Sequence, residues 1–276
     1  MNVLIVGLGL MGGAYAYKLL EKGYKIYGSD VNDLSVEFAI NNKFICEGST
    51  DPSELIKKSD LIVLAIYPQA IMDFLTRYNH LFTDKQVITD ICGVKCSFIE
   101  NAEKAAFPAK YVSHHPMAGR EKVGIAFSAE VEFSGANFLI TVTKNSNMEA
   151  VELLKKIGND LGFGRITIMD VNKHDRMIGF TSQLTHAIAV SLVNSDHDND
   201  TKNFIGDSYR DLTRIAKINE NLWSELFLEN KDYLLEHIQS FENELDKLKI
   251  ALKNNDKDAL KQLFRSSTRI RKEMDK

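Results

Sequence analysis

Short, nearly continuous apolar runs alternate with stretches of helical period through the first half of the chain. Residues 3–6 form a compact β run, followed by a glycine turn and a helical stretch over 12–22. Residues 25–29 predict the next strand, with Asp30 at its end. Residues 60–66 predict a third, almost wholly apolar, as a strand covered on both faces should be. Residues 86–90 and 110–113 add two more, and 138–142 and 165–168 read as later members of the same sheet. Strands alternating with helices predict a mainly parallel, doubly wound α/β layer.

The pattern changes near residue 170. Beyond it no strand signal recurs, and several long stretches carry helical period instead. Residues 180–193 are largely apolar with small side chains, as in a buried helix. Residues 223–252 place apolar positions at helical spacing among many charges, 256–274 resemble a surface helix, and 194–203 form a polar, exposed loop. Two domains are therefore expected, an α/β domain over 1–169 and an all-helical one over 170–276.

Composition narrows the function classes. A chain of 276 residues exceeds one small module, and 26% charged with 44% hydrophobic residues is the balance of an ordinary globular protein. Lys and Arg number 34 against 38 Asp and Glu, a net charge of −4 that argues against a nucleic-acid coat or a polybasic membrane binder. No apolar run approaches the roughly 18 residues that cross a bilayer. The first residues lack a basic segment and a cleavage site and read as a strand, so a cytoplasmic location is expected. Cys46, Cys92 and Cys96 then read as reduced thiols, and Cys92 and Cys96 lack the partners of a zinc site, so no metal is expected.

Gly7-Leu8-Gly9-Leu10-Met11-Gly12 fits the G-x-G-x-x-G turn, directly after a strand and at the opening of a helix. Gly7 serves the tight turn, Gly9 the approach of backbone to a pyrophosphate, and Gly12 the packing of helix on sheet. The helix N-terminus offers N–H groups and partial positive charge to phosphates. Asp30, roughly 20 residues on, is placed to accept from the adenosine ribose hydroxyls and to repel a 2′-phosphate. The alternative is a structural glycine turn beside an exposed aspartate. With strand, turn and acid aligned, a Rossmann-type domain that prefers NAD to NADP is expected.

Holding a nicotinamide does not specify a reaction. His114 and His115 follow a strand on the side where such sheets keep ligands, and a histidine there can take the proton of an alcohol as hydride leaves. His186 lies within an apolar helical segment, where burial with a hydrogen-bond partner is the plain explanation. Arg210 and Arg214, at i and i+4, share a helical face and serve either as surface charge or as a fork for a carboxylate.

Together these motifs resemble the prephenate and arogenate dehydrogenases of tyrosine biosynthesis over nearly the whole chain. The resemblance rests on the glycine turn, residues 90–95 (Asp-Ile-Cys-Gly-Val-Lys), and 115–119 (His-Pro-Met-Ala-Gly). It continues through His174-Asp175, Leu184-Thr185-His186, residues 213–216 (Thr-Arg-Ile-Ala), and Trp223 with 227–230. It implies NAD-dependent oxidative decarboxylation of prephenate to 4-hydroxyphenylpyruvate. His115 matches the histidine that bonds the substrate's ring hydroxyl, His186 a substrate-binding histidine, and Arg214 the arginine that holds a substrate carboxylate. Asp175 matches a carboxylate near that arginine, and Glu121 and Asp211 match acidic residues at the pocket entrance. The helical half matches a dimer interface, so a homodimer is implied. The end at Lys276 implies neither a fused mutase nor a regulatory domain.

Three departures stand out. Gly93 occupies a position often held by serine bonded to the catalytic histidine. Thr185 replaces a proline, which alters helix geometry but keeps the imidazole. Arg120 replaces a small polar residue and adds a cation suited to a substrate with two carboxylates. Arogenate remains an alternative substrate. A β-hydroxyacid dehydrogenase lacks support, since its lysine in a glycine-rich helical context is missing. A nucleotide-binding sensor without catalysis is the reading from another class, with Gly93 its best support.

Overall fold

The computed structural model describes residues 1–104, 108–118 and 122–275. β1 (Asn2–Val6) leads through α1 (Leu10–Glu21) to β2 (Lys25–Ser29), and α2 (Asp33–Asn41) to β3 (Glu47–Ser49). The chain then crosses by α3 (Ser53–Lys58) to β4 (Leu61–Leu64) on the far side of β1. It continues through α4 (Pro68–Tyr78), β5 (Val87–Asp90), α5 (Ile99–Lys104) and β6 (Lys110–Tyr111). The strands are parallel in the order β3-β2-β1-β4-β5-β6. The reversal between β1 and β4 opens a crevice at the carboxyl ends of the strands, where such sheets bind ligands.

Burial on both faces explains the unbroken apolar runs. Val3 and Ile5 join one core with Tyr15, Leu19 and Ile26, while Leu4 and Val6 join another with Leu64, Phe74 and Ile88. Alternate side chains of a strand point to opposite faces, so helices on both sides each cover half of β1.

The expected strand over 110–113 is two strands. Val112 separates β6 from β7 (Ser113–Pro116), which leaves the parallel sheet and pairs antiparallel with β8 (Asn137–Val142). β8 returns through α6 (Met148–Leu161) to β9 (Arg165–Asp170), its parallel neighbour. Residues 138–142 and 165–168 are strands, but of a second, three-stranded sheet β7-β8-β9. Period-two patterning reports a strand and says nothing of its partner.

Asp170 accepts from Lys173 N at 2.9 Å and caps α7 (Val171–Ile178). α7 runs through a π-turn, Gly179–Gln183, into α8 (Leu184–Asn194). This helix is less enclosed than its composition suggests, since Phe180 and Val193 are exposed. The polar loop after α8 is exposed as expected, and α9 (Asp207–Thr213), a 3₁₀ turn over Arg214–Ala216 and α10 (Glu220–Glu229) follow. The single long pattern over 223–252 is divided at Asn230, where α10 ends and α11 (Lys231–Lys253) begins; α12 (Lys257–Met274) packs against α11. The chain separates into two compact units, Met1–Asn230 and Lys231–Lys276. Among the described residues, no helix is long and apolar enough to cross a membrane.

Candidate active site

The glycine turn is built as its residue types require. Gly7 has φ +92°, and a Cβ there would lie 2.3 Å from the Ala65 carbonyl oxygen. A Cβ on Gly12 would lie 1.8 Å from the Gly7 carbonyl oxygen, so this position also admits only glycine. Around Gly9 a Cβ would meet nothing within 4 Å, so its outer side is open. Leu10 and Met11 open α1 with no acidic residue in the first turn, so the helix itself places no negative side chain at its N-terminus. Asp30 accepts from Leu8 N at 2.7 Å and Asn32 N at 2.9 Å. Its carboxylate thus fixes the turn while retaining lone pairs for hydroxyl donors.

His115 lies on β7, half-buried, and its Nδ1 is 3.0 Å from His174 Nε2. His174 Nδ1 is in turn 2.6 Å from Asp175 Oδ1, and both His174 and Asp175 are fully buried. Asp175 also accepts from Lys95 N at 3.0 Å and Cys96 N at 2.7 Å. Burial works to raise its pKa, but the bond from His174 and these backbone donors outweigh it and hold the carboxyl below its ordinary value. Burial lowers the pKa of His174 against the pull of Asp175. Burial, then His174, Lys95 and His114, hold His115 well below an ordinary imidazole.

The proton positions follow from these states. An ionised Asp175 only accepts, so His174 carries its proton on Nδ1. A neutral His174 then accepts at Nε2 from His115 Nδ1–H. This leaves Nε2 of His115 as its basic atom.

A buried scaffold lies beneath. Lys95 Nζ donates to Asp90 Oδ1 at 2.7 Å and to the His114 carbonyl at 2.8 Å, and Tyr111 OH donates to Asp90 Oδ2 at 2.6 Å. Burial would raise Asp90, but Lys95 and these bonds bring it below its ordinary value, so the pair stays ionic. His114 faces away from His115 and lies fully buried between Tyr15 OH at 2.9 Å and Thr89 Oγ1 at 2.7 Å. Burial pushes its pKa down to about 3, with Lys95 adding to the shift. His114 is therefore a neutral structural link.

Gly93 sits against His115. A Cβ there would lie 3.6 Å from Leu226 and 3.8 Å from His115 Cε1, ordinary contact distances. Leu226 and Trp223 are one turn apart on α10, and Trp223 stacks on His186 with ring centroids 3.7 Å apart. Gly93 and His186 thus border one stretch of α10, and His115 lies beside Gly93. His186 Nδ1 donates to the Ser182 carbonyl at 2.9 Å, as does Thr185 Oγ1 at 2.6 Å.

Arg214 is exposed and begins the 3₁₀ turn packed against α8. Arg210 lies one helical turn before it, as the i, i+4 spacing predicts, since Arg214 keeps helical φ and ψ and its N–H bonds the Arg210 carbonyl; Arg210 pairs with Asp207 at 2.7 Å. Asp211 is exposed. Arg120 and Glu121 lie outside the described residues.

Two partners escaped the sequence reading. They are His174, next to Asp175 in the chain, and Lys95, at the end of the 90–95 segment. Asp175, expected to act beside Arg214, is hydrogen-bonded to His174. A buried polar cluster leaves no periodic signal, so only the fold reveals these pairings.

A family model described as prephenate dehydrogenase, nucleotide-binding domain, matches residues 15–167. One described as prephenate dehydrogenase, dimerization domain, matches residues 170–266. The prephenate dehydrogenase of Bacillus subtilis strain 168 is 28% identical over 278 residues, spanning 96% of this chain and 74% of its own length. The cyclohexadienyl dehydrogenase of Zymomonas mobilis is 26% identical over 286 residues, covering 98% and 94% respectively. The crystal structure of Aquifex aeolicus prephenate dehydrogenase in complex with hydroxyphenyl propionate and NAD+ has a TM-score of 0.90 at 30% identity, covering 99% of this chain and 98% of the other.

Proposed function

This chain belongs to the prephenate dehydrogenase family, and from that premise we propose that it oxidises and decarboxylates prephenate to 4-hydroxyphenylpyruvate with NAD. The observation that carries the proposal is the His115–His174–Asp175 chain, which leaves His115 Nε2 basic. The open side of Gly9 and the carboxylate of Asp30 suit a dinucleotide with a free ribose hydroxyl pair. When bound, NAD supplies the hydride acceptor.

His115 takes the hydrogen bond of the ring hydroxyl, and its hold on that proton lets carbonyl character grow at C4 as hydride leaves. The electron pair of the bond to the ring carboxylate flows into the ring as CO₂ departs, and the oxygen regains its proton as a phenol. His174 and Asp175 steady the charge that develops on His115. His186 and Arg214 bind the substrate, with Arg214 offering its fork to a carboxylate and Arg120 adding a second cation. Gly93 leaves space beside His115 that a water or a neighbouring hydroxyl fills. We place the division between nucleotide-binding and helical domains near residue 170.

We also read the protein as a homodimer in the cytoplasm. Leu235, Leu245, Ile250, Leu252, Phe264 and Ile270 are exposed on α11 and α12, more apolar surface than a solvated hairpin needs.

The test is to incubate the purified protein with NAD or NADP and with prephenate or arogenate, following absorbance of the reduced nicotinamide. Prephenate with NAD is expected to turn over fastest. Faster turnover of arogenate transfers the reading to that substrate, and activity with neither supports a sensor. A His115→Asn variant is expected to lose turnover by about 10²–10⁴-fold with nucleotide affinity retained; near-normal turnover removes His115 as the base.

A further inference from the structure

The helix that carries His174, Asp175 and His186 is interrupted by a π-turn over Gly179–Gln183, between the first two residues and the third. His174 and His186 stand twelve positions apart. At about 100° per residue, an uninterrupted α-helix would set them about 120° apart around its axis. A π-turn absorbs one residue more than an α-turn, which brings the offset down to about 20°. The inserted residue therefore turns His186 onto the face from which His174 reaches His115. α10 is consistent with this, because Trp223 stacks on His186 while Leu226, one turn along, lies against Gly93.

Such a turn needs something to hold it, since it gives up regular hydrogen bonding. Gln183, its last residue, is buried, and its Nε2 donates to the Leu226 carbonyl at 2.8 Å. Asn230, buried at the end of α10, donates from Nδ2 to Gln183 Oε1 at 2.7 Å and to the Asp175 carbonyl at 2.9 Å. These two amides tie the π-turn to the end of α10 and to the turn of helix that bears Asp175. Buried amides hold one geometry firmly, because releasing them leaves unpaired polar groups in the protein interior.

We propose that Gln183 and Asn230 are positioning residues of the substrate site: their amide pair holds the π-turn that sets His186 on the His174 face and under Trp223. The proposal rests on the reading of His186 as a substrate-binding group.

The test uses Gln183→Met, which removes the amide at similar size and leaves the Asn230 bond to Asp175 in place. The chain has a single tryptophan, Trp223, so its emission reports the stack directly: an imidazole in contact quenches indole, most strongly when protonated. A His186→Leu variant supplies the emission of unstacked Trp223. In Gln183→Met, Trp223 emission is expected to rise toward that reference. The prephenate KM is expected to increase about tenfold, with kcat changed less than threefold and NAD affinity unchanged. Emission and KM both like those of the unsubstituted protein would overturn the proposal, as would a raised KM with the stack intact. A rise in emission with KM unchanged supports the positioning role alone. If His186→Leu also leaves KM unchanged, the substrate reading of His186 is what fails. Should Gln183→Met not fold, as judged by circular dichroism, Gln183→Glu keeps an acceptor for Asn230, removes the donor to Leu226 and sets a carboxylate oxygen against that carbonyl. It is expected to move the same readings in the same direction, and emission unchanged in that folded variant would overturn the proposal.

Discussion

Asp175→Asn tests the proton arrangement at the base with almost no change of shape. The Asp175 carboxylate meets Cys96 N on one oxygen and His174 Nδ1 on the other. An asparagine has one oxygen to offer and an NH₂ group in place of the second. The backbone N–H of Cys96 can only donate, whereas an imidazole can exchange its tautomer. The asparagine oxygen therefore stays with Cys96 and its NH₂ turns to His174, whose Nδ1 must now accept. The His174 proton moves to Nε2, so His115 Nδ1 must accept, and the proton of His115 is forced onto Nε2. The basic atom is blocked. The analogous substitution in a serine-protease triad costs about 10⁴-fold in kcat through the wrong tautomer. Here the aspartate is one imidazole further from the reaction, and we expect a fall of about 10²–10³-fold in kcat. Loss of the charge-assisted bond is expected to reduce stability by about 1–3 kcal/mol. Steady-state kinetics with NAD and prephenate, alongside denaturant unfolding, measure both. A folded Asp175→Asn protein with kcat within threefold of the original would refute the tautomer chain.

Gly93→Ser has room, since its Cβ meets only ordinary contacts and Gly93 is not among the positive-φ residues. It is expected to raise kcat several-fold with stability within about 0.5 kcal/mol; an unchanged or lower kcat would show that the site already has this hydrogen bond. His114 gives a pH prediction. Its pKa is lowered from 6.5 to about 3 by burial, so the unfolded chain binds the proton first as pH falls. Its contribution is fully present above pH 6.5 and is lost toward pH 3, by up to about 5 kcal/mol. Denaturant unfolding at pH 7 and pH 5 is expected to show a loss of about 2 kcal/mol from this group, and a folded His114→Gln variant that keeps the same slope would reject the assignment. Asp30→Asn is expected to narrow the preference for NAD over NADP in kcat/KM by about tenfold or more, and an unchanged ratio would remove Asp30 from that role.

The periodicity of residues 3–6, 25–29 and 60–66, and the three glycines after the first strand, were enough to read a parallel sheet with its nucleotide turn. These are local signals: burial on both faces enforces continuous apolarity, and Gly7 and Gly12 stand where a Cβ would strike backbone. The family and its histidines were legible too, because the motifs around His115, His186 and Arg214 are contiguous in the chain. The second sheet was not legible, since nothing in residues 110–113 records that the chain changes partner at Val112. Nor was the pairing of His115 with His174, which brings together residues 59 apart. The π-turn escaped as well, because one residue gained within a continuous helix leaves an apolar pattern nearly unchanged while rotating all that follows. Sequence alone determined which side chains were available for the chemistry. Tertiary structure decided which nitrogen of His115 is basic and which way His186 faces, because both depend on hydrogen bonds between elements distant along the chain.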